Sequence, residues 1–291
     1  MTSPFPELRD LWCSAVEEAS RLLSGRLKGR RSTVMVVSGL RGSGVSSVLG
    51  ALQQSTDGFL IKAAPGRLVL PAVAAGLLPS EITGKPDWLL LTLDYMARKA
   101  DASTVLVIDQ AHLINPKELN LLLSGVLARS FGGMSLILGG LPSLSGRIAG
   151  FPGRVESDHL TLELEAPTLS ALAGVSRLAG LPPSSLQHCR SLSVAATALQ
   201  HLRSGGSSDE LRAVVEARHY WSVIESLSPS EAAYLYAVAS DGSDLRSKSH
   251  SRTRASLLAQ GLIYPSANGT LHLAVPGMRQ WIVDHPKAAT A

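Results

Sequence analysis

Cysteine is scarce in this chain: Cys13 and Cys189 are the two in 291 residues. They lie far apart and fit no zinc-ligand or redox spacing, which excludes a disulfide framework and a structural zinc module. Aromatic residues are only 4% of the sequence while hydrophobic residues are 45%. The core must therefore be built from Leu, Val, Ile and Ala, a composition that suits helices packed on a buried sheet. Charge is also low. Charged residues make up 17%, against roughly 25% in an average globular chain, which fits a compact protein, a surface covered by a partner, or both. The stretch Met1 to Trp12 has no apolar signal core. The longest apolar run, Leu68–Leu78, is short of the roughly 20 residues that cross a bilayer. The expectation is a soluble, cytoplasmic protein with no membrane partner, long enough for two or three domains.

The net charge of +4 permits nucleic-acid binding without demanding it. Its distribution says more. Arg21, Arg26, Lys28, Arg30 and Arg31 form one acid-free basic run, and Arg246, Lys248, Arg252 and Arg254, with His250 among them, form another. Each run is either a solvated face or a polyanion-binding one.

An amphipathic stretch from Glu7 to Leu27 opens the chain, with Leu8, Leu11, Trp12, Val16, Leu22 and Leu23 at helical spacing. Valine-rich Thr33–Ser38 reads as a strand buried on both faces, and Val45–Gln54 as a helix. Residues 55–87 are ambiguous, broken by Pro65, Pro71, Pro79 and Pro86; Trp88–Lys99 reads as a helix. Thr104–Ile108, Met134–Leu138 and His159–Leu164 read as further strands. Between them Asn115 caps a helix that has Pro116 at its first position and Glu118 closing a capping box. Its apolar face is Leu119, Leu122, Leu123, Val126 and Leu127. Strands alternating with helices predict an α/β fold with a parallel sheet covered on both sides. After Pro167 the pattern is helical, with Leu169–Ala179 and Ser193–Leu202, then a weak linker at Ser204–Ser208.

Between the first strand and its helix lies Gly39-Leu-Arg-Gly-Ser-Gly-Val-Ser46. It fits the phosphate-loop pattern G-x-x-x-x-G-K-[ST] at every fixed position but one. Its glycines let backbone N–H groups curl around a phosphate at a helix N-terminus. On this reading Gly39, Arg41, Gly42, Ser43, Gly44, Ser46 and Ser47 bind nucleotide. Ser46 supplies the hydroxyl ligand of Mg²⁺, but Val45 stands where lysine should bridge the β- and γ-phosphates. Arg41 could supply a positive charge from another direction. The plain alternative is a tight strand-to-helix turn.

The second strand ends in Ile108-Asp109-Gln110. Here the sequence resembles the Walker B element of AAA+ and related STAND ATPases, which implies that Asp109 takes the Mg²⁺-water position. In that family a glutamate follows and polarises the attacking water; Gln110 has nearly its shape but cannot accept a proton. The third strand, running into Gly139-Gly140-Leu141, resembles the sensor-1 strand but carries no polar side chain there. Arg147 and Arg154 lie where such proteins carry an arginine finger, and each is equally readable as a surface arginine.

Further on, Ser228-Pro-Ser-Glu231 is a capped helix start. A second helix over Ser249–Gln260 follows, and then an Asn268–Gly269 hairpin between Leu262–Tyr264 and Thr270–Ala274. This order resembles a winged helix-turn-helix, with Lys248, His250, Arg252 and Arg254 placed for DNA. A full middle helix scarcely fits, and such modules also bind proteins.

The whole resembles origin-recognition initiators, transposition regulators and STAND switches. It implies an N-terminal helix and basic turn (1–32), an AAA+-like P-loop domain (33–165), a helical lid (166–210), a linker helix (211–227) and a winged-helix-like domain (228–291). The function it implies is a catalytically degenerate, DNA-associated regulatory or scaffold subunit. It would bind ATP or ADP with Mg²⁺ weakly or not at all, beside a protein partner, an active paralogue or further copies of itself. The alternatives are a slow ATPase using Arg41 and a partner's residues, and a pure protein-interaction module.

Overall fold

The computed structural model describes residues 8, 10–28, 32–64, 67–77, 104–127, 134–151, 159–241, 251–266 and 268–285. They divide into two compact units. One comprises 14–38 and 45–163; the other comprises 1–13, 39–44 and 164–291.

The first unit is built on a sheet. Its strands are β1 (Val34–Gly39), β2 (Phe59–Lys62), β3 (Val105–Asp109), β4 (Ser135–Gly140) and β5 (His159–Leu164), in the order β2-β3-β4-β1-β5. The pairs β1–β4, β3–β4 and β2–β3 are all parallel, with Val34 opposite Leu136 and Val105 opposite Ser135. Every residue of β1, β3 and β4 is buried, as continuous apolar runs covered on both faces should be. The four strands expected from sequence are present, shifted by about a residue at their ends. The fifth, β2, falls in the stretch that the sequence left ambiguous. It is short and lies at the edge of the sheet, with Phe59 and Leu60 exposed.

The helices of this unit are α1 (Asp10–Lys28), which continues into the other unit, α2 (Val45–Thr56), α3 (Leu70–Leu77), α4 (Pro116–Leu127) and α5 (Ser143–Ala149). Helix α2 buries Val48, Leu49 and Leu52. Helix α4 buries Leu119, Leu122, Leu123 and Val126, the face that periodicity picks out. The α4 side chains join Val34, Val36, Leu106, Ile108, Leu136 and Leu138 in one core. Asn115 does cap α4, its Oδ1 accepting from the Lys117 N–H at 2.9 Å. Glu118 does not close a capping box. Its buried carboxylate instead accepts the N–H groups of Val69 and Leu70 at 3.1 Å, satisfying the start of α3, 48 residues away in sequence. Pro71 sits in the first turn of α3, where no N–H is needed. The helix expected at Trp88–Lys99 lies outside the described residues.

The second unit contains α6 (Leu169–Leu178), α7 (Leu192–Arg203) and α8 (Leu211–Glu216), then a π-helical turn at Ala217–Trp221 leading into α9 (Ser222–Glu225). After these come α10 (Pro229–Asp241), α11 (Ser251–Ala259), strands β6 (Ile263–Pro265) and β7 (Leu271–Leu273), and α12 (Met278–Asp284). Side-chain caps start two helices: Thr168 accepts from Ala171, and Ser191 from Val194. β6 and β7 pair antiparallel, Tyr264 opposite His272, across a turn in which Gly269 has φ +83°. A core of Tyr220, Tyr234, Leu235, Leu257, Leu271 and Trp281 holds this part together. Glu231 forms the expected capping box with the Ser228 N–H at 2.8 Å. It also accepts from Ser256 Oγ at 2.6 Å and Gln260 Nε2 at 3.0 Å, tying the start of α10 to α11. Those bonds hold its carboxyl below the usual range, Ser228 contributing most.

Glu118→Ala should lower stability by about 2–3 kcal/mol, because two buried N–H groups lose a charged acceptor. Urea denaturation with an unchanged m-value is the measurement.

Candidate functional site

Two features at the carboxyl end of the sheet come together, the first turn of α2 and the end of β3, the strand next but one to β1. Ser46, in the first turn of α2, donates its hydroxyl to Asp109 Oδ2 at 2.8 Å. The other oxygen of Asp109 accepts the N–H of Gln110 at 2.8 Å. Asp109 is 8% exposed, and a carboxylate so placed requires these donors. A hydroxyl beside an oriented carboxylate is the ligand chemistry of a hard divalent cation, so this pair fits Mg²⁺. Gln110 has φ +57°, ψ +35°, a left-handed conformation that costs a non-glycine residue roughly 1–2 kcal/mol. Strain of that kind concentrates at functional sites.

The residue that breaks the phosphate-loop pattern has a distinct environment. A Cβ added to Gly139, at the end of β4, would stand 3.0 Å from Val45 Cγ1 and 2.9 Å from Leu49 Cγ, with a still closer approach to a Leu49 methyl. The space above Gly139 at the end of β4 is thus filled by the side chains of α2. At Gly140 an added Cβ would meet His112 Nδ1 at 2.9 Å. Val45 and Gly139 are therefore sterically linked: a side chain at the second would press on the first.

Residues Gly39–Gly44 belong to the other unit. The loop turns on Gly42 (φ +82°) and Gly44 (φ +100°), the backbone that a phosphate cradle requires. A side chain at Gly42 would collide with Ser193, and one at Gly44 would reach 2.7 Å from Leu192. Ser43 is turned inward against Gly39 and is buried without a hydrogen-bond partner among the described residues. Its hydroxyl is therefore not offered outward, unlike the expectation for a ligand-binding residue. Arg41 is exposed, while its N–H donates to Ala274 O at 3.0 Å. Ser47 is also exposed.

Arg147 is neither an outward finger nor a solvated surface residue. Its guanidinium donates to the carbonyls of His112 at 2.8 Å and Ile114 at 3.0 Å, bracing the turn after Asp109. Burial lowers its pKa. Arg154 lies outside the described residues, as do Lys248 and His250. Arg252 is exposed on α11 and Arg254 is half-buried on the same helix.

Sequence reasoning missed His112. It follows Asp109 in a single 3-10 turn, Ala111–Leu113, and its Nδ1 accepts from the Leu141 N–H at 3.4 Å. Burial first, then the Arg147 charge, lowers its pKa to about 4. The neutral ring packs over Gly140, linking the ends of β3 and β4. No pattern in the sequence marks it, because the partner is a glycine 28 residues on.

A mostly parallel sheet in the order β2-β3-β4-β1-β5, flanked by helices and followed by a helical region, is the AAA+ P-loop fold of the ORC/Cdc6 type. Cdc6p from Pyrobaculum aerophilum shares that fold with a TM-score of 0.54 at 14% identity, over 100% of this chain and 97% of that one. The ORC2 protein of Aeropyrum pernix, in its ADP form, does so with a TM-score of 0.52 at 15% identity, over 95% and 93%. No curated protein matches the sequence. Residues 218–282 match the family model described as "Domain of unknown function (DUF8462)", a span nearly coincident with the core from Tyr220 to Ile282. Among the described residues no helix is long and apolar enough to cross a membrane.

His112 gives a pH signature. Its folded pKa is about 4 and its unfolded pKa near 6.5, so between those values the unfolded chain binds more protons. Stability should be full above pH 6.5 and fall as pH drops toward 4, by up to about 3 kcal/mol. Denaturation midpoints across this window should flatten in His112→Gln.

Proposed function

We propose that this chain is an AAA+-fold subunit without hydrolytic activity, serving as a DNA-associated regulatory or scaffold component. The observation that carries the reading is the packing of Val45: an alkyl group occupies the lysine position, seated with Leu49 in the space that a sensor side chain on β4 would need. A bound nucleotide and Mg²⁺ would supply the electrophilic phosphorus and the charge that draws it open. This chain's own residues would do less. Gly42 and Gly44 would give the loop its curvature, and Ser46 and Asp109 would hold the metal. Gln110 would position water without taking its proton. Loss of the lysine's charged hydrogen bond costs about 1.5–3 kcal/mol in binding. Loss of the base costs about 10²–10⁴-fold in rate. Nucleotide binding is therefore weak and turnover negligible.

The Aeropyrum pernix ORC2 protein, which shares this fold, was solved in an ADP form, and that supports a nucleotide pocket here. A member that cannot turn over still holds a conformation, completes an oligomer or supports an active paralogue. The domain reading that goes with this is a P-loop domain at 33–165, a lid at 166–210, a linker at 211–227 and a winged-helix-like unit at 228–291. In the last, α10, α11 and the β6–β7 hairpin supply the elements, and Arg252 and Arg254 on α11, with Lys248 and His250 just before it, would face DNA phosphates.

Calorimetric titration with ATP and Mg²⁺ tests the nucleotide half. The Val45→Lys, Gln110→Glu double variant should bind about tenfold or more tightly than the parent, still without turnover, since Gly139 remains. Metal-dependent phosphate release by the parent chain, abolished in Asp109→Ala, would overturn the proposal. For the DNA half, affinity for duplex should fall steeply with salt, and Arg252→Ala should reduce the salt slope by about one phosphate contact. Salt-independent affinity, or none, removes the DNA role.

A further inference from the structure

Lys62 is the last residue of β2, and the parallel register sets it opposite Asp109, the last residue of β3. The ladder continues past them: the Ala63 N–H donates to Asp109 O at 2.9 Å. Partners in neighbouring parallel strands lie about 4.8 Å apart with their side chains on one face. Packing tells the two faces of these strands apart. Ile61, opposite Ile108, packs with it in the core that α4 helps to build, whereas Val107, buried too, is not part of that core. Lys62 and Asp109 therefore share the other face. On that face Asp109 meets Ser46 of α2, and α2 packs across β2, β3 and β4.

The charges at this point are unbalanced. Asp109 is nearly buried, and its carboxylate accepts only from neutral donors, the Ser46 hydroxyl and the Gln110 N–H. Arg147 is turned inward onto two carbonyls, and the buried ring of His112 is neutral at pH 7. Lys62 is exposed, and among the described residues its ammonium has no hydrogen-bond or ion-pair partner. An edge strand also carries lysine to discourage further strand pairing. Charge at any outward position serves that purpose, so it does not account for the position opposite Asp109.

Strand order adds a direction. Val45 heads α2, which follows β1; Asp109 is two strands over, and Lys62 is one strand beyond that. A ligand held between the start of α2 and Asp109 thus has Lys62 at its far end. An ammonium on a flexible four-carbon stem is a mobile point charge suited to phosphate, and that stem is long enough to cross one strand spacing.

We propose that Lys62 supplies from β2 the cation that Val45 withholds at the start of α2, and that it meets the terminal phosphate of a nucleoside triphosphate held at Ser46 and Asp109. The assignment rests on the nucleotide reading of that pair. It adds a preference to that reading: Lys62 favours triphosphate over diphosphate, because its charge acts on the group that distinguishes them.

Calorimetric titration of the full chain with ATP and with ADP, each with Mg²⁺, is the test. The parent should bind ATP at roughly millimolar concentration or below. Lys62→Gln should weaken ATP binding about tenfold and change ADP binding by less than about twofold. Lys62→Arg, which keeps the charge, should stay within about threefold of the parent for ATP. In Val45→Lys, adding Lys62→Gln should cost about threefold or less, because the restored lysine acts on the same phosphates. Circular dichroism melts establish that these variants of an exposed residue are folded. Three results would overturn the proposal. One is an ATP affinity untouched by Lys62→Gln, and another is an equal loss for ATP and ADP. The third is a parent chain that binds no ATP while Val45→Lys does, a result that leaves the proposed function standing. Absence of ATP binding in the parent, in Val45→Lys and in the Val45→Lys, Gln110→Glu double variant removes the nucleotide reading itself, and the role of Lys62 with it.

Discussion

Strands buried on both faces leave little freedom in where their ends fall, and this constraint organises the first unit. β1, β3 and β4 have no exposed residue, so they must run parallel, in register, between layers of helix. Their carboxyl ends then open at one edge of the sheet. Ser46 and Asp109 meet there because α2 begins where β1 has just ended and β3 ends next but one to it. The hydrogen bond between them is a consequence of topology, and the chemistry that it could support comes from the same source.

That topology also brings together residues far apart in sequence. Val45 and Gly139 are 94 residues apart, yet their strands and helix place them in contact distance. An alkyl group at one position is tolerated because the other has no side chain, and a polar side chain at the second is excluded by the first. His112 completes the arrangement by filling the space over Gly140 with a neutral ring. Arg147 is drawn inward to brace the same turn. The edge of the sheet at Gly139 and Gly140 is thus packed by the protein's own side chains.

The sequence made the sheet legible because β1, β3 and β4 are continuous apolar runs bounded by glycine or acid. β5 could be read from its alternation. β2 escaped because an exposed four-residue edge strand has neither signal. Asn115, Ser228 and Glu231 could be read as caps because capping is local. Glu118 was misassigned for the complementary reason: its partners are on α3, where no local rule reaches. The phosphate-loop positions could be found by spacing, but the inward turn of Ser43 and the inward reach of Arg147 depend on neighbours distant in sequence. The π turn that carries Arg218 and His219 leaves no compositional mark at all.

The left-handed backbone at Gln110 bears on which residues this position can hold. Branching at Cβ is sterically penalised there whatever the side chain's chemistry, so valine, isoleucine and threonine are poor replacements. Glycine, asparagine and aspartate relieve the torsion. Occupancy of the position after Asp109 is therefore filtered by backbone shape before reactivity enters. The Asp109 carboxylate accepts the backbone N–H of the residue held there, so an isosteric glutamate would inherit the same posture and the same torsional tension.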